Sequence, residues 1–190
     1  MAFTLGKLKP VGGSLYGHVF ENRATRVPRD LYWSLTIEFA EIDMGYETWT
    51  PSLTAEWIVF PARRWLDLDG LGLADVRKPK LIEASVYAFG EHQLGDLRDL
   101  SLTRGRGPAF KAHVELVLDL VDDEGRVQRG ARIEATQRLD FDGILVLPDN
   151  LSPKPNSAKK AQAVVAKFLD TDTLEPPVWD EFRYVFAPKV

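Results

Sequence analysis

Between Ala109 and Leu147 the apolar residues fall on every second position. Ala112, Val114, Leu116, Leu118 and Leu120 are even. After Asp122-Asp123-Glu124-Gly125 the parity reverses, to Val127, Ala131, Ile133, Ala135, Leu139 and Phe141. A period of two means strands with one buried and one wet face. The intervening Asp and Gly residues are strong turn formers, so the stretch predicts a β-hairpin. Both apolar sets must share a face, and two loop lengths allow this. A four-residue loop sets Glu115 opposite Arg132 and His113 opposite Glu134, whereas a two-residue Glu124-Gly125 loop sets Glu115 against Glu134. Opposite charges across a ladder stabilise, and like charges repel, by roughly 0.2–1 kcal/mol. That favours the four-residue loop. The wet face then carries Lys111, His113, Glu115, Asp119, Arg132, Glu134, Arg138 and Asp140.

The same periodicity extends over much of the chain. Residues 3–9 and 14–20 read as short strands separated by Pro10-Val11-Gly12-Gly13, which reads as a turn. Residues 21–30 are a polar loop, and Leu31 to Ala40 alternates most cleanly of all. Asp43 to Pro51 reads as a loop, and 54–60 as a strand ended by Pro61. The stretch 61–79 is too long for a structureless loop in a compact domain, so it predicts a helical turn or extra strand within. Residues 80–90 read as a strand apolar on both faces, hence central, and 97–104 as a weaker strand ending at Arg104-Gly105-Arg106-Gly107-Pro108. After the linker Pro148–Pro155, Asn156 or Ser157 can cap a helix to about Leu169, with Ala161, Val164, Val165, Phe168 and Leu169 on one stripe. Residues 178–186 read as a closing strand, placed to pair with an N-terminal one. The expected fold is mainly β: an antiparallel β-sandwich or barrel of about 8–9 strands with one C-terminal helix docked on it. Residues 1–147 form its core, and 148–190 the linker, helix and closing strand of the same domain.

Composition changes this picture little, but it excludes some chemistry. The chain has 190 residues and a net charge of −4, with 10 basic and 12 acidic residues in positions 1–95 and 14 and 16 in the remainder. Charge spread so evenly argues against nucleic acid and anionic membranes as partners. There is no cysteine, which removes disulfides, thiolate nucleophiles and Cys-ligated zinc. Absence of cysteine fits cytosol and periplasm alike. Met1–Lys7 lacks a basic head with an apolar follow-on, and no apolar run approaches about 18 residues. Neither a signal peptide nor a membrane span is expected, and the expected location is cytoplasmic.

Candidate chemistry is sparse. His18, His92 and His113 are far apart in sequence, and a three-histidine metal site requires the fold to gather them. Asp67-Leu68-Asp69-Gly70 resembles a fragment of a calcium loop but lacks its later Glu, a weak signal beside the plainer reading of turn-forming aspartates. No Gly-x-Ser-x-Gly is present, and Arg104–Pro108 has no Lys-Ser/Thr and precedes a strand, so it is a hairpin corner rather than a phosphate loop.

The remaining signal is aromatic. Tyr46, Trp49 and Trp65 lie in expected loops, with Arg63 and Arg64 beside Trp65. These residue types dominate interface hot spots, although large aromatics also close the ends of cores. The resulting expectation is a non-catalytic, partner-binding β protein of inhibitor or immunity-like kind. It would use Tyr46, Trp49, Arg63, Arg64 and Trp65 with the mixed-charge sheet face, and its mild acidity would suit a basic partner. The alternative is a carbohydrate- or small-ligand-binding β protein, including a metal-dependent enzyme built on the three histidines. No cofactor is expected.

Overall fold

The computed structural model describes residues 8–43, 45, 48–122 and 124–189. These form strands β1 (Pro10–Asn22), β2 (Val27–Phe39), β3 (Ile42–Asp43), β4 (Thr48–Trp49), β5 (Ser52–Ile58), β6 (Glu83–Ala88), β7 (Glu91–Arg104), β8 (Ala109–Val121), β9 (Val127–Val146), β10 (Val178–Asp180) and β11 (Arg183–Phe186). One helix, α1 (Ala158–Val165), follows β9. Nine strands make one sheet in the order β1-β2-β5-β6-β7-β8-β9-β11-β10, while β3 and β4 pair separately. The architecture is thus mainly β and antiparallel with one late helix, as the periodicity predicts. One pairing breaks the antiparallel rule. β1 runs parallel to the end of β9, Ser14 beside Asp140 and Val19 beside Val146. The ladder therefore returns to its first strand, linking β1, β2, β5, β6, β7, β8 and β9 in a ring of pairings.

The inner face carries the core. Leu15 and Val19 of β1, Trp33, Leu35 and Ile37 of β2, and Val114, Leu116 and Ile133 of the β8–β9 hairpin are all essentially buried. α1 is shorter than its apolar stripe, but it docks as expected, with Ala161 and Val165 fully buried and Ser157 capping Lys160 N–H. No helix among the described residues is long and apolar enough to cross a membrane.

Several local expectations are corrected. Pro10–Gly13 opens β1 rather than forming a turn. A Cβ on Gly13 would sit 2.2 Å from Thr36 O and 2.5 Å from Leu139 Cδ2, so this glycine serves close approach of strands. The expected strand 3–9 lies largely outside the described residues. In the long hairpin, Glu115 faces Glu134 and His113 faces Thr136. The favoured register fails because the loop is five residues long and β8 shifts register between Leu118 and Leu120. The Asp122 carboxylate closes that loop through the N–H groups of Glu124 and Arg126, and the Asp119 carboxylate takes Gly130 N–H at 2.8 Å. Arg132 still reaches Glu115 diagonally at 2.7 Å, so the ion pair survives without the register. β6 is apolar on one face only, since Glu83 and Tyr87 of its other face are exposed. The closing strand β11 pairs with β9 rather than with an N-terminal strand. The long stretch 61–79 contains the expected helical turns, at Trp65–Leu68 and Leu73–Asp75, with a third at Pro79–Leu81.

Candidate functional site

The outer face of β1, β2 and β5 departs from the polar norm for a solvated sheet face. On β1, Tyr16, His18 and Phe20 alternate with the inward Leu15, Gly17 and Val19. β2 adds Tyr32 and Ser34, both buried although they lie on the outer side. β5 supplies Trp57 through a break in its ladder. Trp33 pairs with Ile58 and Leu35 with Ala55, so Ser34 faces two residues, Glu56 and Trp57. Trp57 holds φ at +61°. A bulky residue there is strained by about 1–3 kcal/mol and persists only where surrounding packing fixes it. The bulge turns two consecutive side chains outward, and the strand resumes its inward face at Ile58.

Trp57 is the hub of the resulting cluster. Its ring lies edge-on to Phe20 at 4.9 Å, to His18 at 5.4 Å and to Tyr32 at 5.5 Å. The Tyr32 hydroxyl donates to Pro28 O at 2.7 Å, which fixes that ring. Phe20, Tyr32 and Trp57 line a pocket of about 290 Å³, together with Val27, Leu81 and the carboxylate-bearing Glu83.

The electrostatics are one-sided. Glu56 and Glu83 face each other across β5 and β6. Burial pushes the Glu56 carboxyl up from its ordinary value, and repulsion from Glu83 adds to this. Among the described residues no Lys or Arg stands in a salt bridge with either. His18 brings no compensating charge, because burial pushes its imidazole down to about 4. Its Nδ1 has no hydrogen-bond partner among the described residues, and neither has the nearby Ser34 Oγ. The site is therefore an aromatic recess with two carboxylates, neither in a salt bridge with a Lys or Arg among the described residues, although His92 acts on Glu56 against the upward shift.

The residues singled out from sequence are dispersed. Tyr46 lies outside the described residues. Trp49 packs edge-on against Phe89 at 4.2 Å, beside a separate pocket that also holds Tyr87. Trp65 is 2% exposed, stacked on Phe141 at 5.1 Å with its Nε1 donating to Thr173 O at 3.0 Å. It belongs to the hydrophobic core cluster. Arg63 and Arg64 are exposed beside it, Arg64 being paired with Asp67 at 2.7 Å.

The histidines do not converge. His18 lies on β1, His92 on β7 and His113 on β8, and each meets different partners. His92 Nδ1 meets Ser85 Oγ at 3.3 Å, while His113 meets Thr136 Oγ1 at 3.0 Å and Asp99 at 3.4 Å. Among the described residues no group of three or more His, Asp or Glu is placed to hold a metal ion. Asp67 is a turn acceptor for Arg63 and Arg64 N–H, and Asp69 ties the segment to the end of β7 by accepting Arg104 N–H.

Sequence reading missed the Trp57 site, although a signal was present. Leu53 and Ala55 set an odd inward parity, which Ile58 breaks. A parity break inside a short strand marks a bulge. Comparison with protein-family models, curated proteins and solved structures found no match.

Proposed function

We propose that this chain is a non-catalytic binding protein whose outer-face pocket takes a positively charged group on an apolar stem, presented by a basic segment of a protein partner. One observation carries the reading. An aromatic-walled pocket has Glu83 in its lining and Glu56 across the ladder, and neither carboxylate is in a salt bridge with a Lys or Arg of the described residues. Aromatic faces attract cations through their quadrupole, Trp most strongly, and a nearby carboxylate adds direct Coulomb attraction. The volume, about 290 Å³, suits a single side chain or head group rather than a large ligand. Edge-on packing among Phe20, Tyr32 and Trp57 holds the rings in place before binding, which lowers the entropy cost of capture. The chain's net charge of −4 favours encounter with a basic partner.

The test compares N-acetyl-lysine methylamide and choline with the neutral N-acetyl-norleucine methylamide by thermal shift. Both cations should raise the melting temperature in a salt-sensitive manner, and the neutral analogue should not. Trp57→Ala and Glu83→Gln, each checked for folding by circular dichroism, should abolish the shift. Equal shifts with the neutral analogue, or full response in both variants, would refute the reading.

A further inference from the structure

A second pocket, about 310 Å³, lies where the start of β2, the segment after β5, the segment before β6 and the end of α1 meet. It shares no lining residue with the aromatic pocket and has the opposite charge. Arg29, Arg63, Arg77 and Lys167 line it, and Asp30 is its one acidic lining residue. Leu31, Phe60 and Phe168 also line it; Leu31 and Phe60 are buried, and Phe168 is half-buried.

Not all of this charge is free. Arg29 is held by Glu21, through Nη2 at 2.7 Å and Nε at 3.3 Å, and also donates to Ser152 O at 2.6 Å. Asp30 is taken by Lys78 at 2.8 Å, while Arg77 stands 3.8 Å from it. Arg63 and Lys167 are in no salt bridge among the described residues. The pocket thus has one cation fixed in its wall, Arg77 only loosely engaged, and two cations in no salt bridge among the described residues. In a chain with more acidic than basic residues, that concentration in one recess is unusual.

We infer that this recess binds a phosphate monoester carried on an apolar stem. A monoester has close to two negative charges at neutral pH and three strong acceptor oxygens, which matches several converging cations better than a single carboxylate does. Arginine's fork donates two parallel hydrogen bonds to phosphate, and lysine adds a mobile point charge. The half-buried ring of Phe168, beside Pro61 in the same lining, offers the apolar contact for the stem. Arg29 acts as a preset part of the wall, since Glu21 and Ser152 already hold its guanidinium in one orientation.

Isothermal titration at low ionic strength tests this with phenyl phosphate, inorganic phosphate, benzoate and phenol as probes. Phenyl phosphate should bind saturably, at least tenfold more tightly than inorganic phosphate or benzoate, and phenol should give no heat. The double variant Arg63→Ala/Lys167→Ala changes two exposed side chains and should fold normally by circular dichroism. It should lose roughly tenfold or more in affinity, as expected for removing charge-assisted hydrogen bonds. A second variant, Lys111→Ala/Arg138→Ala, removes two of the three cations lining a different recess beside β8 and β9 and should bind phenyl phosphate unchanged. Three results would overturn the inference: no binding at 10-millimolar order of probe, equal affinity for benzoate or inorganic phosphate, or unaltered affinity in Arg63→Ala/Lys167→Ala. Trp57→Ala should leave phenyl phosphate binding intact, which separates this site from the cation pocket.

Discussion

His18 is the residue whose environment has the clearest consequence. Its folded pKa is about 4, against an ordinary value of 6.5, because burial disfavours the imidazolium. The unfolded chain therefore binds more protons between those values. The stability contributed by a neutral His18 is fully present above about pH 6.5 and is lost as pH falls towards 4. By pH 4.5 that loss amounts to about 2–3 kcal/mol. Glu56 works in the opposite direction, since its raised carboxyl favours the folded state on protonation. Urea unfolding of the wild type and of His18→Phe at pH 7 and 4.5 separates the two. The variant, which keeps an aromatic ring against Trp57, should lose at least about 1.5 kcal/mol less than the wild type on acidification. Equal losses would show that His18 titrates normally. The same burial keeps His18 uncharged at neutral pH, so the pocket stays attractive to a cation.

At the scale of elements, two glycines side by side make opposite predictions. A methyl at Gly13 would collide with the Thr36 carbonyl oxygen and with Leu139, where β1 is wedged between β2 and β9. A backbone oxygen held in a ladder cannot yield cheaply. Gly13→Ala should cost about 1–3 kcal/mol, as overpacking does. At Gly12 the nearest atom is Glu38 Oε2 at 3.2 Å, the end of a flexible side chain, so Gly12→Ala should be close to neutral. Thermal unfolding of both variants checks this. The pair also shows why part of the fold escaped the sequence. Strands with a wet face were legible, because alternation in Leu31–Ala40 and Ala109–Phe141 encodes burial directly. Glycines at Gly12 and Gly13 read as a turn because a sequence does not say whether missing side chains serve a bend or a close approach. The β8–β9 register failed for a related reason. Charge pairing chose between two loops, but a register shift near Asp119 lets Glu115 keep Arg132 as a diagonal partner. The site was less legible still. Trp65 lay in an expected loop beside two arginines and is buried, whereas Trp57 lay within the expected strand 54–60 and is turned outward by a bulge.

Over the whole molecule, ring-like strand pairing divides inner from outer residues, and the proposed function rests on the exception to that division. On β8 and β9 the outer face carries charged residues, some paired with one another, as in Arg132–Glu115 and Arg138–Asp140. The patch on β1, β2 and β5 is instead aromatic, partly buried and acidic at its margin. A sheet face that served only to meet water would not need a strained Trp57 or an unpartnered buried imidazole. The most direct measurement is an NMR titration that follows the Trp57 indole N–H, assigned by comparison with Trp57→Ala, as N-acetyl-lysine methylamide is added at neutral pH. The account predicts a saturable shift of that signal, weakened by Glu83→Gln and by salt, with the buried Trp33 and Trp65 indoles unmoved. A Trp57 signal that stays fixed while the peptide analogue reaches tens of millimolar would contradict it.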